Sequence, residues 1–204
     1  MLSRVTLLLG ACQQLSVARQ RLTGARLLLL AAYLLNGAVA AAVPAVHEYT
    51  LDNGMKLVVK EDRRAPVVVS QIWYKVGSSY EHDGITGISH VLEHMMFKGT
   101  KKHGPGEFSR LIAEQGGREN AFTSRDYTAY FQTLEKNRLP IALELEADRM
   151  RNLRLDADEF AKEVKVVMEE RRLRTEDSAQ ALTYEQFNAV AYLNSPYRTP
   201  IIGW

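Results

Sequence analysis

The chain has 204 residues, 46% of them hydrophobic and 25% charged, which is ordinary for a soluble globular domain long enough to bury a substantial core. Four of its 26 basic residues lie in the first 42 positions and all 24 acidic residues lie beyond them, so the remainder has 22 basic residues and a net charge of −2. That balance excludes the basic footprint of a nucleic-acid-binding protein. The only cysteine, Cys12, lies in the same N-terminal stretch, which excludes a disulfide framework for the rest of the chain.

The N-terminus has the pattern of a targeting segment. No acidic residue precedes Glu48, four arginines precede an apolar run at 27–35, and small residues follow at 38–42. This order is typical of a secretory signal peptide, and the apolar run is too short to span a membrane. We therefore expect residues 1–42 to be a signal peptide with a long basic n-region, and residues 43–204 to be periplasmic or secreted.

Two alternatives remain for this segment. An acid-free, arginine-bearing start also fits a mitochondrial transit peptide, which would place the protein in the mitochondrial matrix. Lipidation at Cys12 would have only residues 5–9 as its apolar region.

The first predicted elements are strands. Runs at 47–51 and 55–60 flank Asp52-Asn53-Gly54, and Asn-Gly between such runs predicts a β-hairpin. The β-branched and aromatic run at 67–76 predicts a central strand. A glycine- and serine-rich loop at 77–87 then leads into a helix that we expect to end at Gly99.

Cap and turn signals divide the rest of the chain. Helices are predicted at 105–117, 140–152, 156–174 and 184–192. Asp156 with Glu159 three residues later resembles a capping box at the start of the third of these. Strands are predicted at 119–124 and 127–134, on either side of a turn. These elements indicate an α+β domain with a mostly antiparallel sheet that is covered by helices on one side.

The helix after the loop contains His90-Val91-Leu92-Glu93-His94. Its two histidines stand at i and i+4 and Glu93 at i+3, so the three side chains project from one face, opposite an apolar face. Neutral imidazoles are typical zinc ligands, and a nearby carboxylate can deprotonate a water that zinc activates. The order H-x-x-E-H is a known zinc-protease signature. The alternative is a polar helix face that carries these residues by chance.

A catalytic zinc site needs a third protein ligand. On the long helix, Glu163 and Glu170 are seven residues apart and share a face, while Glu169 points about 100° away from Glu170. Taken alone, the run Glu169-Glu170-Arg171-Arg172 also fits a solvated charged face.

With this pair of motifs the chain resembles the N-terminal domain of the pitrilysin-type zinc peptidases, the inverzincins, over about residues 46–204. It is most similar to bacterial members that resemble the β subunit of mitochondrial processing peptidase. In that family, H-x-x-E-H is followed about 75 residues later by a glutamate within an E-(six residues)-E pattern. Here Glu170 follows His94 by 76 residues, and Glu163 supplies the first glutamate of the pattern. The resemblance implies that His90, His94 and Glu170 bind one Zn²⁺, with Glu93 as general base and Glu163 as an acid that orients a ligand or aids catalysis.

The resemblance also implies how substrate binds. The family adds its peptide as a strand to a sheet edge with an Asn-Ala pair, which matches Asn120-Ala121 here; alternatively, Asn120 is only a turn residue. Phe97 either lines a side-chain pocket or closes the core. In the family a second domain supplies an Arg-Tyr pair for the substrate carbonyl, so we expect this chain to be incomplete at its C-terminus or to need a homologous partner subunit.

The expected function is that of a zinc-dependent endopeptidase that hydrolyses peptides or unfolded polypeptides. The first alternative is a non-catalytic binding or assembly partner in a two-subunit protease similar to the processing peptidase. The second is a metal protein without protease activity.

Overall fold

The computed structural model describes residues 45–204, so the signal-peptide prediction for residues 1–42 falls outside the described part. The described residues belong to two compact units that divide between Arg63 and Arg64. The first unit contains the predicted hairpin, with β1 at Val46–Thr50 antiparallel to β2 at Lys56–Lys60. Gly54 closes its turn with φ +82°, a backbone conformation that favours glycine.

The second unit contains a three-stranded antiparallel sheet. β3 spans Val67–Tyr74, β4 spans Arg118–Thr123 and β5 spans Thr128–Glu135. The order is β3-β5-β4, so β5 is central, and β4 pairs with no other strand in residues 45–204. A tight turn joins β4 to β5, with Ser124 N–H donating to the Tyr127 carbonyl at 2.8 Å. The predicted strand pair is therefore confirmed, and β4 lies at an edge.

Five α-helices accompany the sheet in the described chain: α1 at Ile88–Met95, α2 at Glu107–Glu114, α3 at Leu139–Asn152, α4 at Ala157–Arg171 and α5 at Ala179–Ala191. A π-helical turn at Arg172–Glu176 extends α4, so the long helix reaches beyond residue 174 as predicted. The Asp156 carboxylate caps α4 by accepting the N–H groups of Asp158 and Glu159. None of the helices in this part of the chain is long and apolar enough to cross a membrane.

The helices cover one face of the sheet, which confirms the predicted α+β architecture. One core cluster joins α2, α3 and β5 and consists of Phe108, Ile112, Leu134, Ala142 and Leu145. On the other face of the sheet, Val69 and Trp73 stay about half exposed. A second cluster, formed by Val91, Met95 and Val167, holds α1 against α4. This second contact positions the functional site.

Three sequence predictions need correction. The helix with the H-x-x-E-H motif ends at Met95, because the chain then tightens into i→i+3 turns. Gly99 instead lies in a close approach at φ +103°, where a Cβ would meet the His103 carbonyl at 2.6 Å. The apolar face of this helix includes Ile88 and Leu92, but these are 41% and 39% exposed, because the apolar contact of α1 with α4 is made by Val91 and Met95. Finally, α5 begins at residue 179, since Ser178 caps it by accepting the Ala181 N–H.

Candidate metal centre

The three predicted ligands come together between α1 and α4. Potential ligand atoms of His90, His94 and Glu170 all lie within 4.8 Å of one another. His90 Nε2 is 3.8 Å from Glu170 Oε1, and His94 Nε2 is 3.5 Å from Glu170 Oε2. Helical periodicity presents both histidines on one face of α1, and the packing of Val91 and Met95 on Val167 brings that face to α4.

A second carboxylate orients His94. Glu163 Oε2 is 3.1 Å from His94 Nδ1, and Glu163 Oε1 is 2.6 Å from Lys98 Nζ. Burial opposes ionisation of Glu163, but its contacts with Lys98 and His94 hold its pKa below the ordinary value. An ionised carboxylate at Nδ1 favours the tautomer protonated there, which leaves the Nε2 lone pair facing Glu170. Glu163 thus contacts the predicted ligand His94 through Nδ1 and lies outside the group of potential metal ligands.

These residues fit a zinc ion. Two imidazole nitrogens and one carboxylate oxygen form the three-ligand set of catalytic zinc sites. Burial lowers the pKa of His90, which favours the neutral form that binds metals. The Glu170 carboxylate also pairs with Arg174, whose Nη1 is 2.5 Å from Glu170 Oε1. The alternative that residues 169–172 form a solvated charged face therefore holds for Glu169, which is exposed and paired with Arg172. It does not hold for Glu170, whose side chain is largely buried.

Glu93 is held apart from the ligand set. Its Oε2 accepts a hydrogen bond of 2.5 Å from Thr123 Oγ1, at the end of the edge strand β4. The group of clustered potential ligands in residues 45–204 does not include Glu93. One carboxylate oxygen is thus engaged by the sheet, and the other is available in the cleft.

A cleft of about 730 Å³ connects the metal centre with the edge strand. His90, Glu93, His94 and Glu170 line it together with Asn120 and Ala121, so the predicted ligands, base and edge residues share one space. Asn120 Oδ1 accepts the Ala121 N–H at 2.8 Å, so the side chain already satisfies the main-chain donor that an added strand would use.

Phe97 does not line a side-chain pocket of the cleft. Its ring lies 6.1 Å from that of Tyr130 and 5.2 Å from the Arg149 guanidinium, and it does not line the cleft. The alternative that it closes the core is the one that agrees with the structure, because α1 ends before Phe97 and the following turn directs the ring toward Tyr130.

Sequence reasoning missed several residues of the cleft. Thr123 shares the inward parity of Ala121, so strand alternation could have identified it. Arg125, in the turn after β4, and the segment at 198–202 also line the cleft. No sequence signal places that segment there, because it approaches from the far end of the chain.

Two imidazoles and a carboxylate, with a further carboxylate outside this set, are the side chains typical of metal-dependent hydrolases. Residues 56–203 match the protein family described as Insulinase (Peptidase family M16). The chain belongs to peptidase family M16, which confirms the resemblance seen in the sequence.

Individual relatives support this family assignment. The chain is 41% identical over 163 residues to "Zinc protease PqqE" of Helicobacter pylori, covering 79% of this chain and 37% of the relative. It is 33% identical over 165 residues to "Mitochondrial-processing peptidase subunit beta" of Bos taurus, covering 81% and 33%. The crystal structure of a protease from Helicobacter pylori superposes with a TM-score of 0.77 at 40% identity, covering 79% of this chain and 39% of that one. The chain thus spans between 33% and 39% of the length of these relatives.

Proposed function

We propose that the protein is a zinc-dependent endopeptidase for peptides or unfolded polypeptides, with His90, His94 and Glu170 as ligands and Glu93 as general base. The observation that supports it best is the arrangement of Glu93. It lies on the same helix face as the two histidines, outside the ligand cluster, and it is fixed to the edge strand. A binding or assembly module would have no need for a separate, oriented carboxylate at this position.

Each side chain has a distinct role in the proposed reaction. When bound, zinc would act as a Lewis acid that polarises the scissile carbonyl and lowers the pKa of the attacking water. Glu93 keeps Oε2 on Thr123 and accepts the water proton at Oε1. It then transfers that proton to the leaving amine nitrogen as the C–N bond breaks. Glu163 holds His94 in the ligand tautomer throughout.

The edge strand accounts for the proposed substrate class. Within residues 45–204, β4 pairs only with β5, and it lines the cleft with Asn120 and Ala121. An extended peptide that adds to this edge forms main-chain hydrogen bonds, which accept many sequences but require an unfolded backbone. The Ala121 N–H would exchange its bond to Asn120 Oδ1 for one to the peptide. Because one relative is named as a subunit, association with a homologous subunit or a further domain belongs to this proposal.

The test is hydrolysis of a quenched fluorescent, unstructured peptide by the full-length protein. We expect a strong chelator to abolish turnover and added zinc to restore it. His94→Ala should remain inactive after zinc is added, whereas the control His82→Ala, which changes an exposed histidine outside the cleft, should behave like the unchanged protein. A zinc-loaded full-length protein that binds the peptide without cleaving it would favour the non-catalytic alternative.

A further inference from the structure

Beyond the metal centre, the cleft contains a basic side chain that the proposed chemistry does not use. Three arginines and three glutamates line the space: Arg125, Arg174, Arg198, Glu93, Glu170 and Glu185. Most of these charges already have an oppositely charged partner. Arg171 donates to both oxygens of Glu185 at 2.9 Å, Arg174 pairs with Glu170, and Arg198 pairs with Asp83 at 3.1 Å.

Arg125 differs from the other two arginines. Its Nε donates to the main-chain carbonyl of Tyr197 at 3.3 Å, and its guanidinium lies over the Tyr197 ring, 5.4 Å from the centroid. The neighbouring carboxylate of Asp126 is directed to two hydroxyls instead, those of Ser79 and Tyr197. Among the hydrogen bonds and ion pairs of the described residues, Arg125 thus has a carbonyl acceptor but no carboxylate.

The position of Arg125 relates it to the substrate path. Thr123 is the last residue of β4 and holds Glu93, and Arg125 follows two residues later. Two residues of chain span at most about 7 Å, so a peptide that pairs with β4 and reaches Glu93 passes Arg125 within a few residues. The contact with Tyr197 uses Nε and the face of the guanidinium, so the terminal nitrogens of this cleft-lining residue make no hydrogen bond to another described residue.

We propose that Arg125 forms a subsite for a carboxylate of the peptide substrate, a few residues from the bond that is cleaved. A planar guanidinium matches a carboxylate with two parallel hydrogen bonds, and no carboxylate of the described residues is hydrogen-bonded to Arg125. The carboxylate comes from an Asp or Glu side chain or from the C-terminus of the peptide. This inference rests on the proposed peptidase function, since it requires that the peptide lies along β4.

The experiment compares matched peptides with the full-length protein. In one series a single glutamate is moved through the positions on each side of the cleaved bond, and glutamine replaces it in the control series. A third series has a free or an amidated C-terminus at the same distances, which separates the two sources of the carboxylate. Hydrolysis gives kcat/KM, and fluorescence anisotropy with the Glu93→Gln variant gives Kd without turnover.

We expect glutamate at one position, or a free C-terminus there, to raise kcat/KM and tighten Kd about ten- to hundredfold over the neutral peptide, as hydrogen bonds between charged groups do. Arg125→Gln should abolish that preference, so that the glutamate and glutamine peptides give the same Kd and the same kcat/KM. Arg125→Glu should reverse the preference toward a lysine peptide. Arg118→Gln is the matched control, because Arg118 lies exposed on the same strand but does not line the cleft.

The experiment distinguishes a failure of the Arg125 subsite from a failure of the proposed peptidase function. No difference in Kd or kcat/KM between glutamate and glutamine at any position would overturn the subsite, even if hydrolysis of neutral peptides depends on zinc. A preference that survives both Arg125 variants would overturn it as well. Absence of zinc-dependent hydrolysis would overturn the peptidase function, while the anisotropy series would still decide whether Arg125 binds the carboxylate.

Discussion

Glu163 lies between a lysine and a proposed metal ligand, so its replacement by glutamine tests how the site is oriented. The side chain is 8% exposed, 3.1 Å from His94 Nδ1 and 2.6 Å from Lys98 Nζ. Glutamine keeps the shape and one oxygen acceptor but removes the negative charge. Zinc should therefore still bind to Glu163→Gln, but with reduced affinity.

The magnitude follows from which contact reaches the metal. Loss of a carboxylate that supports a metal-bound histidine reduces affinity about 10- to 100-fold, or about 1.4 to 2.8 kcal/mol. The hydrogen bond to His94 alone is a charge-assisted contact worth about 1.5 to 3 kcal/mol, which agrees with that range. The Lys98 side chain is about a quarter exposed, so water can solvate its amine after the substitution, and the loss of this contact contributes little.

Competition with a fluorescent zinc chelator measures the Kd for zinc. The control is Glu169→Gln, which makes the same substitution on an exposed position of α4 and should leave Kd unchanged. Equal Kd values for Glu163→Gln and Glu169→Gln would refute the orienting role. Complete loss of zinc, as expected for His94→Ala, would make Glu163 a ligand instead.

Three further predictions concern other positions. Glu170→Gln should reduce zinc content well below stoichiometric in elemental analysis, and full retention would remove Glu170 from the ligand set. Thr123→Val should lower kcat roughly ten- to hundredfold at unchanged zinc content, because Glu93 loses a hydrogen bond. Thr123→Ser keeps the hydroxyl and should retain most of kcat; equal rates for the two variants would contradict this. Burial opposes ionisation of Asp148, but hydrogen bonds such as that from Thr100 lower its pKa in the folded protein. The ionised group therefore stabilises the fold above the unfolded pKa of ~3.9, and this contribution is lost as the pH falls through the lower folded pKa. Asp148→Asn should therefore lower the free energy of unfolding at pH 7 by about 1 to 2 kcal/mol in urea titrations and weaken the acid dependence.

The sequence predicted the parts of the site that depend on local periodicity. His90, Glu93 and His94 share a helix face at any packing angle, and the spacing of Glu163 and Glu170 distinguishes them from their neighbours in the same way. The hairpin between β4 and β5 was also predictable, because its turn and its alternation are local. Sequence periodicity therefore predicts which residues share a face of a helix or strand, but it does not predict which faces contact one another.

The rest depends on contacts between distant segments. Thr123 meets Glu93 across 30 residues, and the Tyr197 carbonyl meets Arg125 across 72. The end of α1 was predicted wrongly because Gly99 fits the residue after a helix as well as the close approach it makes. Phe97 was ambiguous for a similar reason, since a helical phase carried past Met95 turns its ring to a different side.

The central claim is that Glu93 acts as a base beside a metal held by other residues. Zinc content and peptide turnover, measured together on Glu93→Gln and His90→Ala of the full-length protein, test it most directly. Glu93→Gln should retain zinc at the level of the unchanged protein and show no hydrolysis, whereas His90→Ala should lose both. Loss of zinc in Glu93→Gln as complete as in His90→Ala, or turnover that persists without the Glu93 carboxylate, would contradict the account.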